Sequence, residues 1–281
     1  MSHYLPDWKQ SLLLVLIFFA GSVAVAFLVT LGGIGSTSLM YALTMMVPLL
    51  WALFCSQRSR AAGGGYVPVN DPQRGAFRSV LPVALLCALA TPFIGVLTEP
   101  LASLFPMSEA MEAALEKLTD LSRPWDSILA TVILAPLCEE MLCRGIICRG
   151  LLSVGRPWPA IVFSAFVFAL LHGNLTQGTV AFVLGVFMGW VYFRTHCLWC
   201  TIAIHFVNNG LSMLFSVLYP DLPMTATYAS LMPRGAYIAL VICSVAVVAA
   251  VIYTIYSKYK DEQSIVSFAV RPSASGEALG R

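Results

Sequence analysis

Long apolar runs separated by short polar intervals dominate the chain, and their lengths predict helices that cross a membrane. Runs at about 11–30, 39–55, 79–97, 126–150, 158–175, 178–194, 198–218 and 235–257 each approach the roughly 20 residues of a transmembrane helix. The fold class expected is therefore all-α, a polytopic integral membrane helix bundle of about eight transmembrane helices. The first run follows MSHYLPDWKQ, which is less basic than a secretory leader, so the run is read as retained although Ala24-Val25-Ala26 resembles a cleavage site. Between the second and third runs, QRSRAAGGGYVPVNDPQRGAFR reads as a flexible connecting loop. From Glu99 to Arg123, Met107, Met111, Leu115, Leu118 and Leu121 recur at three- and four-residue spacing, with Glu109, Glu112, Glu116 and Asp120 elsewhere around the helix. That pattern predicts an amphipathic helix with Ser108 as its N-cap.

Composition agrees with the pattern: 59% of the 281 residues are hydrophobic and 11% charged, where a soluble domain carries about 25%. A net charge of +2 gives no reason to expect a nucleic-acid partner, so the distribution of Lys and Arg matters more. Arg58, Arg60, Arg74 and Arg78 share one loop, and Arg149, Arg156, Arg194, Lys258 and Lys260 fall on the same side if eight spans alternate. The positive-inside rule then places both termini in the cytoplasm. Six of the eight cysteines lie in or beside apolar runs and read as packed thiols, while Cys197 and Cys200 form a CxxC lacking the second pair that a zinc site needs.

Three polar clusters interrupt the apolar helices: Glu139, Glu140 and Arg144; His172; and His205 with Asn209. A carboxylate at the centre of a span costs on the order of 3 kcal/mol, so such groups face a partner or a cavity and are candidates for function. At about 100° per residue, Glu140 and Arg144 lie within roughly 40° of each other and pair, leaving Glu139 as the freer carboxylate. Glu, two His and Asn suit attack of an activated water on a carbonyl. Glu139 would take the proton, His172 would hold the water or a metal, and His205 with Asn209 would stabilise the oxyanion. Glu139, His172 and His205 would also make a plausible zinc shell if a metal is bound. No HExxH helix is present, nor a GxSxG elbow, and Ser36 in GGIGSTS reads as a loop residue. Convergence of the clusters needs offset helices, since His172 is deep in its run and His205 shallow. Pro157 and Gly173 are candidates for that offset.

Glu139-Glu140-Met-Leu-Cys-Arg144, Phe168-Ala-Leu-Leu-His172 and His205-Phe-Val-Asn-Asn209 match EExxxR, FxxxH and HxxxN, and over about residues 80–220 the chain resembles the CPBP family of intramembrane proteases. That family includes type II CAAX prenyl endopeptidases and bacteriocin-processing or immunity proteins. The resemblance implies a membrane-embedded endopeptidase with Glu139, His172, His205 and Asn209 as catalytic residues and Glu140 and Arg144 in support. It leaves the cofactor unknown, with zinc open. The partners implied are the lipid bilayer and a membrane-anchored or lipidated peptide or protein substrate. The organisation expected is an N-terminal transmembrane hairpin and basic loop over 1–78, a protease core over 79–220, a final span over 221–257 and a disordered cytoplasmic tail over 258–281. The brief loops suggest a prokaryotic cytoplasmic membrane. Two alternatives remain: a proton- or metal-coupled transporter, which usually shows a repeat and polar residues on more spans, and a non-catalytic scaffold of the same fold.

Overall fold

The computed structural model describes residues 1–71, 77–118, 122–223 and 226–259, and they form helices joined by loops. Six helices are long and apolar enough to span a bilayer. They are α1 (Trp8–Leu31), α2 (Thr37–Ala61), α3 (Phe77–Ala102), α7 (Leu175–Thr195), α8 (Leu198–Leu218) and α10 (Arg234–Lys258). Two short helices, α4 (Glu109–Leu118) and α9 (Tyr228–Leu231), lie between them. The other two runs expected to span are not among these six. One becomes α6 (Pro157–Leu171), only 15 residues long. The other becomes α5, a continuous helical run over 124–154 that alternates between two hydrogen-bonding patterns.

This run is α-helical over Pro124–Ile128, π-helical over Leu129–Leu134, α-helical over Ala135–Glu140, π-helical over Met141–Cys148 and α-helical again over Arg149–Val154. The Ala135 N–H reaches back five residues to Ala130 O, and the Arg149 N–H to Arg144 O, the signature of π turns. π turns are uncommon and favour functional sites. Here they bracket the six residues that end in Glu139 and Glu140.

α6 and α7 pack along each other, and α3 lies against α7, α8 and α10. The α6–α7 contact depends on small residues: a Cβ on Gly185 would sit 3.0 Å from Ala165 Cβ, and one on Gly189 would sit 3.0 Å from Ile161 Cγ2. α1 pairs with α2, and α2 in turn borders α5. Asp126, in the exposed first turn of α5 ahead of its apolar part, holds the N-terminus of α2. Its carboxylate accepts from Thr37 N at 2.7 Å, Ser38 N at 3.1 Å, Ser36 Oγ at 2.9 Å and Ser38 Oγ. Ser36, read from sequence as a loop residue, is the N-cap of α2.

Two expectations about the basic segments need correcting. Arg149 is not a loop charge, being fully buried in α5. Its guanidinium donates to Gly145 O, Met1 O, Ser2 O, Tyr4 O and Val67 O, so one cation ties the N-terminal segment and the 66–71 loop to α5. Nor is the described end of the connecting loop free. Tyr192 Oη donates to Val69 O at 2.8 Å, Asn70 Oδ1 accepts from Leu198 N at 2.7 Å, and Asp71 N donates to His196 O at 3.0 Å. Backbone acceptors and an amide cap hold what Gly and Pro content suggested would move. α4 begins just after Ser108, whose carbonyl accepts from Glu112 N at 3.0 Å. Leu121 and Asp120 of the amphipathic pattern, and the tail beyond residue 259, lie outside the described residues.

Candidate active site

Glu140 is the centre of the cluster. Fully buried, its Oε1 accepts from Arg144 Nη1 at 2.7 Å and lies 3.2 Å from His205 Nδ1. The i,i+4 pair expected on α5 is therefore present, and α8 closes on it through His205. Arg144 extends the network: its Nη2 donates to Gly185 O on α7 at 2.9 Å, and its guanidinium lies over the Phe168 ring at 4.5 Å. Gly185 serves both neighbours, because a Cβ there would stand 3.1 Å from Arg144 Nη2.

The FxxxH pattern joins through its phenylalanine. The Phe168 ring meets His172 edge-on at 5.0 Å and His205 edge-on at 5.1 Å. His172 is the C-cap of α6 and not a mid-span residue, followed by Gly173 at φ +69°. A short helix ending in a left-handed glycine supplies the offset that the three motifs needed to converge. His172 Nδ1 lies 2.9 Å from Phe168 O. A carbonyl only accepts, so Nδ1 carries a proton and Nε2 is the nitrogen left for chemistry.

His205 and Asn209 are more engaged than their sequence suggested. Asn209 Nδ2 donates to Thr131 O at 2.8 Å and lies 3.2 Å from His205 Nε2, while Asn208 Nδ2 donates to Asn209 Oδ1 at 3.2 Å. With His205 Nδ1 donating to Glu140, both ring nitrogens and the Asn209 amide are used within the protein. These residues thus brace Glu140 and the π-helical Thr131 carbonyl.

Glu139 faces differently from its neighbour. At 8% exposure it is buried, and its Oε1 accepts from Tyr41 Oη of α2 at 2.7 Å. Its Oε2 has no hydrogen-bond partner among the described residues. Tyr41 belongs to none of the three polar clusters marked in the sequence. Only the packing of α2 on α5 brings it to the site.

The zinc shell of Glu139, His172 and His205 does not assemble in this arrangement. Among the described residues no three His, Cys, Asp or Glu side chains are placed to hold a metal ion, and His205 has both nitrogens in hydrogen bonds. Cys197 and Cys200 are both buried, at the N-cap and in the first turn of α8. A cavity of about 470 Å³ opens elsewhere, between His3, Trp51, Arg58 and Ser153, and none of the cluster lines it.

Residues 122–211 match the family model described as type II CAAX prenyl endopeptidase Rce1-like. No curated protein and no solved structure matches the chain. The matched segment contains Glu139, Glu140, Arg144, Phe168, His172, His205 and Asn209, and stops short of Tyr41. Through this segment, whose three motifs close on one another around Glu140 and Phe168, the chain is similar to the Rce1-like type II CAAX prenyl endopeptidases.

Proposed function

We propose that this CAAX-protease-like membrane protein hydrolyses a peptide bond of a membrane-anchored or lipidated substrate, using Glu139 to activate water. The observation that carries the reading is the contrast between two adjacent carboxylates. Glu140 is neutralised by Arg144 and braced by His205, whereas Glu139, also buried, meets no cation among the described residues and accepts only from the neutral Tyr41 hydroxyl; in both carboxylates Oε2 lacks a hydrogen-bond partner there. Adjacent acids in unlike environments are the usual way a site separates a structural role from an acid–base role.

In this mechanism Glu139 Oε2 takes a proton from water as the water oxygen bonds to the carbonyl carbon, and the C=O electron pair moves onto oxygen. Collapse of the tetrahedral species breaks the C–N bond, and Glu139 returns the proton to the departing nitrogen. His172 orients the water through Nε2. Glu140, Arg144, His205 and Asn209 hold the helix geometry without touching the reacting atoms. The arginines of the α2 end and the α5–α6 and α7 ends favour cytoplasmic termini, and a prokaryotic cytoplasmic membrane suits the brief loops.

The test is cleavage of a membrane-anchored fluorogenic peptide library by purified wild type and Glu139→Gln. General acid–base catalysis contributes about 10²–10⁴-fold, so Glu139→Gln is expected to lose at least that much kcat while remaining folded. Equal turnover by the two proteins would remove Glu139 from the reaction.

A further inference from the structure

We propose that Tyr41, on a helix outside the matched family segment, is a positioning residue of this site. Its hydroxyl fixes one oxygen of Glu139, so that the other is presented to water. The inference rests on the reading of Glu139 as the base. Its own support is geometric. Tyr41 Oη donates to Glu139 Oε1 at 2.7 Å, a normal distance for O–H donating to a carboxylate. The acceptor is a buried side chain whose Oε2 has no other protein partner, so Tyr41 makes the one hydrogen bond seen for this carboxylate among the described residues.

The scaffold around Tyr41 is built to hold it there. Asp126 clamps the first residues of α2 with two backbone and two hydroxyl donors, and Tyr41 follows one helical turn after Thr37. Arg123 Nη1 adds a bond to Gly35 O at 2.9 Å. The start of α5 thus anchors α2, and α2 returns a hydroxyl to Glu139 further along the same helical run. Without that bond, Glu139 could rotate about its terminal torsion, a broad two-fold well, and present either oxygen. Near-attack geometry is sensitive to that freedom.

Asp126 does not confuse a pH experiment. The Ser38 hydroxyl, followed by the Ser36 hydroxyl and the Thr37 and Ser38 amides, holds its carboxyl down to about 2. A depressed carboxyl stabilises the fold above its unfolded value and loses that effect only as pH falls through about 2. The α2 clamp therefore stays constant in a profile measured above about pH 5.

The experiment measures kcat, KM and the pH–rate profile of the full chain in detergent for wild type, Tyr41→Phe and Glu139→Gln. A hydrogen bond to a charged group corresponds to about ten- to a hundred-fold in rate. Tyr41→Phe is expected to lower kcat by that factor with KM little changed, and to displace the limb of the profile that belongs to Glu139. A merely structural tyrosine would move neither. Wild-type kcat and an unmoved profile in Tyr41→Phe, beside an inactive Glu139→Gln, would overturn the role of Tyr41 and leave the base intact. An active Glu139→Gln would instead remove the reading on which the inference stands. Should Tyr41→Phe fail to fold, 3-fluorotyrosine at position 41 keeps the ring and hydroxyl. The profile must then shift with the phenol's acidity, and an unshifted profile overturns the role.

Discussion

Arg144 meets three different groups at once: the Glu140 carboxylate, the Gly185 carbonyl and the Phe168 ring face. A lysine would keep the charge but lose the fork and the stack. Arg144→Lys is expected to cost about 1–3 kcal/mol, the range for a buried acceptor left unpaired, read as a lowered unfolding temperature in detergent. Arg144→Ala strands Glu140 as a buried charge and should cost about 3–5 kcal/mol. The pairing of Glu140 with Arg144 was legible because i,i+4 is a property of one helix. The bond from His205 to Glu140 was not, since it depends on how α8 meets α5. The same holds for Asn209: its spacing from His205 placed both on one face, but its bond to Thr131 O required a π-helical turn that no residue pattern announces.

Among the elements, α5 departs furthest from expectation. Its boundaries agree with the apolar run, yet its interior alternates between α and π bonding around the two acids, because the hydrogen-bond register is set by neighbours as well as by sequence. The α6–α7 contact offers a direct test at this scale. Gly185→Ala would press a methyl against Ala165 and against Arg144 Nη2, and should destabilise by about 1–3 kcal/mol, with a parallel loss of cleavage as Arg144 is displaced. A stable, fully active Gly185→Ala would mean that α6 and α7 can separate without disturbing the cluster. The convergence of His172 with His205 was readable only as a requirement. Gly173 and the short α6 meet it, and their roles follow from a left-handed C-terminal turn that glycine adopts without strain.

For the molecule as a whole, the all-helical membrane architecture followed from run lengths and composition. Length and apolarity mark six helices, and the two remaining runs are the ones that carry Glu139, Glu140, Arg144 and His172. Buried charges and a short helix weaken a hydropathy signal where the polar cluster is built. Arg149 shows the same limit at the other end of α5. It counted as a surface charge by position, but it is a buried tie for the N-terminal segment and the 66–71 loop. Arg149→Met should raise hydrogen exchange selectively over residues 1–6 and 66–71, and unchanged protection there would show that other contacts suffice. The central claim, that the buried Glu139 runs hydrolysis inside a membrane bundle, is met most directly by single-turnover cleavage of a membrane-anchored peptide with wild type and a folded Glu139→Gln protein. The account predicts scission by wild type and a loss of at least about 10²-fold in the variant. Equal rates would contradict it.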